Sequence, residues 1–310
     1  MFVELFKNMM SLKYVIIYIF LGCTIYTHFR GKKSLKFSRQ IVDHTALMSP
    51  INCLMYLFSA VPNKPYLLVE DIPNLLILRK NWQAIRNEGL KLIDKGLITG
   101  NNNNDDAGFH TFFKKGWKRF YLKWYHTAHP SAIEECPITS ELLKQIPEVK
   151  AGMFALLPPG GKLGLHRDPY AGSLRYHLGL STPNSDDCAI FVDGQKYSWR
   201  DGEDVLFDET FVHEAYNNTS KERLILFCDV ARPMHTSVGK WLNEFFSSTI
   251  MKAASSPNNI NDRTGFINKI FKYIYAIQQI GQQYKKKHYK RYYLIKYLIY
   301  VAIILLVLYV

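Results

Sequence analysis

The chain has 310 residues, 48% of them hydrophobic, and a formal net charge of +13. That length holds one large domain or two small ones with a buried core. The charge sets aside a cationic partner and points to an anionic one: nucleic acid, an acidic membrane surface or a phosphorylated substrate. Five widely spaced cysteines (Cys23, Cys53, Cys136, Cys188, Cys228) include no C-x-x-C pair. Their odd number and spacing argue for free thiols in a reducing compartment.

Tyr14–Phe29 carries no Asp, Glu, Lys or Arg. It is slightly short of the roughly 17–25 residues of a membrane helix. Lys13 can snorkel, and Tyr14 and Tyr26 suit an interface. No small-x-small cleavage site follows, so an anchor is expected rather than a signal peptide. Arg30, Lys32, Lys33, Lys36 and Arg39 come next, a basic flank of the kind that stays cytoplasmic. The other end mirrors this: Lys285, Lys286, Lys287, Lys290 and Arg291 precede an apolar run over 292–310 broken only by Lys296. Two anchors with basic flanks facing mid-chain place residues of about 30–290 in the cytoplasm. The expected divisions are an N-terminal anchor over 1–29, a basic and helical part over 30–149, a catalytic core over 150–235, a loop and amphipathic helix over 236–291, and a C-terminal anchor over 292–310.

Ala46–Val61 is apolar but short, with Pro50 and Asn52 inside it. It reads as an interfacial or re-entrant helix, with a core segment as the alternative. Leu75, Leu78, Trp82, Ile85 and Leu92 recur near a 3.6 spacing and predict a helix over 73–96. Asn101–Asn104 and Asp105–Asp106 make a polar loop. In Gly116–Tyr125, aromatics alternate with Lys118, Arg119 and Lys123. This suits a half-buried strand, a glycolipid head group or, last in rank, nucleic acid. A short helix fits between Pro137 and Pro147.

From Lys150 the texture changes to short strands divided by turns. Strands are expected over 150–157, 174–180, 188–192, 196–199, 205–207 and 223–230, with hairpin signals at Asp193-Gly194 and Asp201-Gly202. The fold class is mainly β with flanking helices: a double-stranded β-helix, the jelly-roll or cupin-like barrel, between N- and C-terminal transmembrane helices. Beyond a Ser-, Pro- and Asn-rich loop, Ile267, Ile270, Phe271, Ile274 and Ile277 trace one face of a helix. That helix can lie on the membrane or pack on the barrel.

The chemistry centres on His166-Arg167-Asp168 and His213. On an extended strand, residues i and i+2 share a face, so His166 and Asp168 can reach one ion, and His213 supplies a third ligand. Two histidines and a carboxylate with open positions form a non-haem iron(II) site; zinc hydrolysis is the competing chemistry. Arg223, on the strand after His213, can pair bidentately with a carboxylate such as the distal end of 2-oxoglutarate. Alternation on the 174–180 strand sends Arg175 and His177 to one face. Asp208 and Glu209 stand as partners that orient neighbours.

Pro159-Gly160 leading to His166, the run Leu174–Leu180, Trp199–Glu203, Phe207–Glu209 leading to His213, and Arg223 with Asp229-Val230 resemble the aspartyl/asparaginyl β-hydroxylase family. The likeness extends to its membrane-bound bacterial branch, the lipid A hydroxylases of the LpxO type, through His28–Gly31, Leu54–Tyr66, Gly116–Tyr125, Pro183–Cys188 and Ala253–Asn258. The resemblance implies Fe(II) held by His166 and His213, and 2-oxoglutarate bound by Arg223 with help from Arg175 and His177, with dioxygen as the other co-substrate. It implies hydroxylation at C2 of a secondary fatty acyl chain of lipid A, on the cytoplasmic face of a bacterial inner membrane. Animal peptide hydroxylases of the family have glycine in place of Asp168 and serine in place of Ala155. Asp168 thus stands either as a third ligand or in another role. The rival readings are hydroxylation of Asp or Asn in a membrane-proximal peptide, a zinc hydrolase, and a metal-free lipid-binding jelly roll.

Overall fold

The structure, a computed structural model, describes residues 11–37, 44–100, 106, 108–125, 127–259 and 261–309. Arg39 of the first basic flank and Asn101–Asp105 of the polar loop lie outside the described residues. Helix α1 is Leu12–Phe29, and α2 is Ser49–Leu57. Strand β1 (Tyr66–Leu67) precedes α3 (Trp82–Asp94). Then come β2 (Lys118–Trp124), β3 (Thr127–Ala128), α4 (Pro137–Lys144), β4 (Val149–Leu157), β5 (Lys162–His166), β6 (Ser173–Ser181), β7 (Cys188–Val192), β8 (Gln195–Ser198), β9 (Asp204–Phe207), β10 (His213–Asn217) and β11 (Arg223–Ala231). Helices α5 (Ser237–Phe246), α6 (Phe266–Lys287) and α7 (Tyr289–Tyr309) close the chain.

The strands form two antiparallel sheets, ordered β1-β9-β6-β11-β4-β2-β3 and β5-β10-β7-β8. From β5 to β11 the chain crosses repeatedly between them: β5, β7, β8 and β10 lie in the small sheet, β6, β9 and β11 in the large one. That exchange is the winding of a double-stranded β-helix. Asp193 and Gly194 both have positive φ, 52° and 81°, as the tight turn between β7 and β8 requires.

Alternation along the large sheet builds two cores. Leu224, Leu226, Cys228 and Val230 of β11, with Leu174, Tyr176 and Leu178 of β6, pack outward among Leu78, Ile85, Leu92 and Leu143. Ile225 and Phe227, with Met153, Ala155 and Leu157 of β4, face inward against Cys188, Ile190, Val192 and Ala215 of the small sheet. The sheet is covered on both sides, so β2 and β4 are buried almost throughout instead of alternating with solvent. The expected period-two exposure of β2 fails for that reason. The 73–96 helix is interrupted at Asn81, whose side-chain amide donates to the Ile77 carbonyl.

A third cluster joins α2, α5 and the loop after β5. It contains Met55, Tyr170, Ala171 and Met234, with Phe58, Leu242 and Phe246 against them. Among the described residues one helix, α1, is long and apolar enough to cross a membrane. Arg30 leaves the surface flank expected for it: the side chain is buried against Asp208, Thr210 and Asn63.

Leu226 is fully buried in the outer core. Leu226→Ala should destabilise the chain by about 3 kcal/mol, read as a lower thermal midpoint. An unchanged midpoint would mean this core is plastic.

Candidate metal centre

Three side chains converge where β5 and β10 pair. His166 ends β5, His213 begins β10, and the two are register partners. Asp168 follows β5, its amide donating to the Glu209 carbonyl at 3.0 Å. Ligand atoms of His166, Asp168 and His213 all lie within 4.8 Å of one another. The two imidazoles stand 4.2 Å apart by centroid. His166 Nδ1 lies 2.7 Å from the Gly164 carbonyl and His213 Nδ1 2.9 Å from that of Phe211. A carbonyl takes a proton from Nδ1, which sets the tautomer that carries its lone pair on Nε2, the form a metal ion would use. Burial drives His213 down to about 3, so the ring is neutral and ready to ligate.

Asp168 is held by charge. Burial works to raise its carboxyl, but Arg175, His213 and His166 overturn this and bring it to about 2. The Arg175 guanidinium reaches Asp168 Oδ2 at 2.6 Å, bonds Glu209 through Nε at 2.5 Å and lies 2.9 Å from Asp229. Three carboxylates around one cation are two more than it can neutralise. Burial pushes Glu209 well above the usual carboxylate range, and raises Asp229 too. Ser173 donates to Glu209 and Tyr125 to Asp229, completing a fixed cradle.

The ligands open into a small cavity lined by aromatic and apolar groups, including Phe109, Phe112, Trp117 and Phe227. His177, Arg223 and Arg175 also face it. Arg223 is 2% exposed and stacks on Trp199, its guanidinium carbon 4.3 Å from the ring centroid. It has no carboxylate partner among the described residues, and its Nε is buried without a hydrogen bond. Burial lowers it only to about 10, so it stays cationic. Both nitrogens of His177 are likewise buried without partners, and burial beside Arg223 and Arg175 keeps the ring neutral. A buried cation without a protein counter-charge suits an anionic ligand.

All six residues expected from the sequence therefore gather at one cavity. Arg175, expected to help bind a co-substrate, is ion-paired with three carboxylates and so acts as a clamp on Asp168.

A family model described as aspartyl/asparaginyl beta-hydroxylase matches residues 79–233, half of the chain and the whole of this cavity's polar wall. The chain belongs to that family. It is 40% identical over 180 residues to the ornithine lipid ester-linked acyl 2-hydroxylase of Rhizobium tropici, covering 57% of this chain and 64% of that one. It is 32% identical over 164 residues to the human aspartyl/asparaginyl beta-hydroxylase, covering 50% of this chain and 21% of the relative. The match thus spans less than two thirds of either relative. A prolyl-4-hydroxylase structure from Pseudomonas putida aligns with 18% identity over 50% of this chain and 88% of that one, at a TM-score of 0.33.

This family member ties its metal loop to its first helix, which the sequence did not signal. Arg167, between the two ligands on that loop, is buried and donates to the carbonyls of Thr27, His28 and Arg30 at the end of α1. A guanidinium there meets the helix's unpaired carbonyls and the negative end of its dipole. Asn52 of α2 holds the same loop, donating to the Pro169 carbonyl at 2.9 Å and accepting from the Ala171 amide at 2.8 Å. Asp208 bonds Arg30 and Arg232, at 2.5 and 2.7 Å, beneath it. The readable signal for Asp229 was alternation from Arg223; Arg167 offered none, because its partners are backbone atoms far along the chain.

Arg175→Gln should weaken metal binding by roughly 10–100-fold, read by cobalt(II) titration in the visible; an unchanged affinity would remove Arg175 as the clamp. Asp208 gives a second test. Burial works to raise it, but Arg232, Arg30 and Thr210 hold it far below the usual range. Its stabilisation is full above about pH 4 and is lost as pH falls toward its folded value. Asp208→Asn should lose about 3–5 kcal/mol at pH 7 and fall less steeply on acidification, measured as thermal midpoint against pH.

Proposed function

We propose that the chain is a membrane-bound iron(II) and 2-oxoglutarate-dependent hydroxylase acting at C2 of a fatty acyl chain on a bacterial membrane lipid, with lipid A as the substrate. The observation that carries this reading is Arg223: a buried, unpaired guanidinium in the same cavity as a two-histidine, one-carboxylate set. A metal hydrolase has no need of such a cation. A co-substrate with a second carboxylate does.

His166, His213 and Asp168 would hold the iron, on a face that leaves the cavity side open. Bound there with 2-oxoglutarate, iron(II) supplies oxidative decarboxylation by dioxygen coupled to insertion of one oxygen into a C–H bond, releasing succinate and carbon dioxide. The chain's own residues do the positioning. Arg223 takes the distal carboxylate of 2-oxoglutarate, with Trp199 holding the guanidinium plane and neutral His177 beside it as a hydrogen-bond donor. Arg175, braced by Glu209 and Asp229, keeps Asp168 ionised and aimed. Phe109, Phe112 and Trp117 wall the cavity with apolar surface that suits an acyl chain and excludes water.

Several features support a lipid. The Rhizobium relative is named for 2-hydroxylation of an ester-linked acyl chain. Helix α1 is apolar and bolted to the metal loop. The net charge of +13 suits a phosphorylated lipid at the cytoplasmic face of the inner membrane. The C-terminal apolar run, helical over Tyr289–Tyr309, would serve as the second anchor. That relative's name also favours one specific alternative, an ornithine lipid. The peptide reading is weaker, because a wall of Phe109, Phe112 and Trp117 suits an apolar chain better than an Asp or Asn side chain.

Mass spectrometry of lipids from cells with and without the gene should show one added oxygen on a lipid A acyl chain. The same gain on ornithine lipid alone would move the substrate; no gain on any lipid would overturn the lipid reading. With purified full-length chain, succinate release should require iron(II) and 2-oxoglutarate. Arg223→Met should raise the half-saturating 2-oxoglutarate concentration at least about thirty-fold, from ~2 kcal/mol or more for a buried charge pair.

A further inference from the structure

Apart from its C-terminal turns, where Gly281 and Lys285 lie against Tyr292 and Tyr293 of α7, helix α6 packs on the rest of the chain by one narrow edge. Phe271 and Tyr275 contact His110, at ring separations of 5.6 and 4.4 Å, and the Asn268 amide donates to the carbonyls of Ala254 and Ser255. At 3.6 residues per turn, Ile267, Ile270, Tyr273, Ile274, Ile277 and Ile280 fall together on another side. All six are exposed: Tyr273 by 72%, Ile277 by 70% and Ile280 by 66%. Lys269 flanks the stripe beside Tyr273 and Ile280, whereas Lys272 lies on the face opposite Ile270 and Ile274. A continuous bare stripe of isoleucine and tyrosine is far more than a soluble surface ordinarily shows.

The charge around the stripe names what covers it. Between Arg263 and the last residue there is no aspartate or glutamate, while Arg263, Lys269, Lys272, Lys285–Lys287, Lys290, Arg291 and Lys296 are all basic. A second copy of so uniformly basic a segment would repel the first. An anionic lipid surface satisfies both the apolar stripe and the lysines. The helix also continues into α7, which is apolar.

The inner edge reaches the site. His110, held by Phe271 and Tyr275, starts the turn that carries Phe112, whose ring lies 5.0 Å from that of His166 and lines the metal cavity. We propose that α6 is an in-plane docking surface for an anionic bilayer and that its seating sets the cavity's aromatic wall against the lipid. The bilayer contact stands on the stripe and the charge alone. Its use in delivering an acyl chain rests on the lipid-hydroxylase reading above.

The test uses the full chain in nanodiscs, with part-exposed Cys23 and Cys53 replaced by serine. An environment-sensitive dye is placed at Ile277→Cys, and separately at Lys272→Cys. In phosphatidylcholine with one third phosphatidylglycerol, the dye at 277 should shift to the blue and be quenched by brominated acyl chains, while the dye at 272 should do neither. Lys269→Gln should reduce the preference for phosphatidylglycerol roughly five-fold, from about 1 kcal/mol per charge. A dye at 277 that stays water-like in both membranes would overturn the proposal. So would a shift that needs two chains per disc, or equal quenching at 272. No turnover enters this measurement, so its failure and that of the lipid-hydroxylase reading are distinguishable.

Discussion

One guanidinium organises the centre of this molecule. Arg175 draws Asp168, Glu209 and Asp229 together from three different parts of the chain. Buried carboxylates repel one another and resist ionisation. Without Arg175, they would protonate or be pushed apart, and Asp168 would have no reason to stand beside two histidines. With it, one carboxylate is kept charged beside the two histidines while the others share the burden. The pairing of β6 with β11 places Arg175 opposite Asp229 directly.

The second organising fact is that the metal loop is not free. Its central residue, Arg167, closes the carbonyl end of α1, and Asn52 of α2 holds the residues that follow. A hydrophobic helix that looks like a detachable anchor is thereby part of the site's framework. This explains why Arg30, expected as a flank charge, is instead buried: it shares Asp208 with Arg232 and secures the same junction. The loop with His166 and Asp168, the first helix and the junction at Asp208 form one connected arrangement.

The site's membership was legible because β structure alternates. His177 and Arg175 on β6, and Arg223 and Asp229 on β11, follow from period two once those strands are recognised. The N-terminal apolar run forms a helix long and apolar enough to cross a membrane, and the C-terminal run is helical over Tyr289–Tyr309. Less was legible where backbone carbonyls do the work. Nothing in the run His166–Asp168 shows that Arg167 turns away from the metal to cap a helix more than a hundred residues earlier. The separation of α6's packed edge from its bare stripe was also hidden, since Phe271 and Ile270 look alike as letters in a helical repeat.

The sequence by itself determined the chemistry available: two histidines, one aspartate, an arginine on an alternating strand, and basic residues beside apolar helices. These are local properties, set by side-chain type and by the two periods of regular backbone. Only the tertiary structure decided which charges are used up and which are free. Arg175 and Arg223 are the same residue type on neighbouring strands, yet one is spent on carboxylates and the other is left bare beside Trp199. Pairing and desolvation depend on what lies within a few ångströms, and that is a property of the fold.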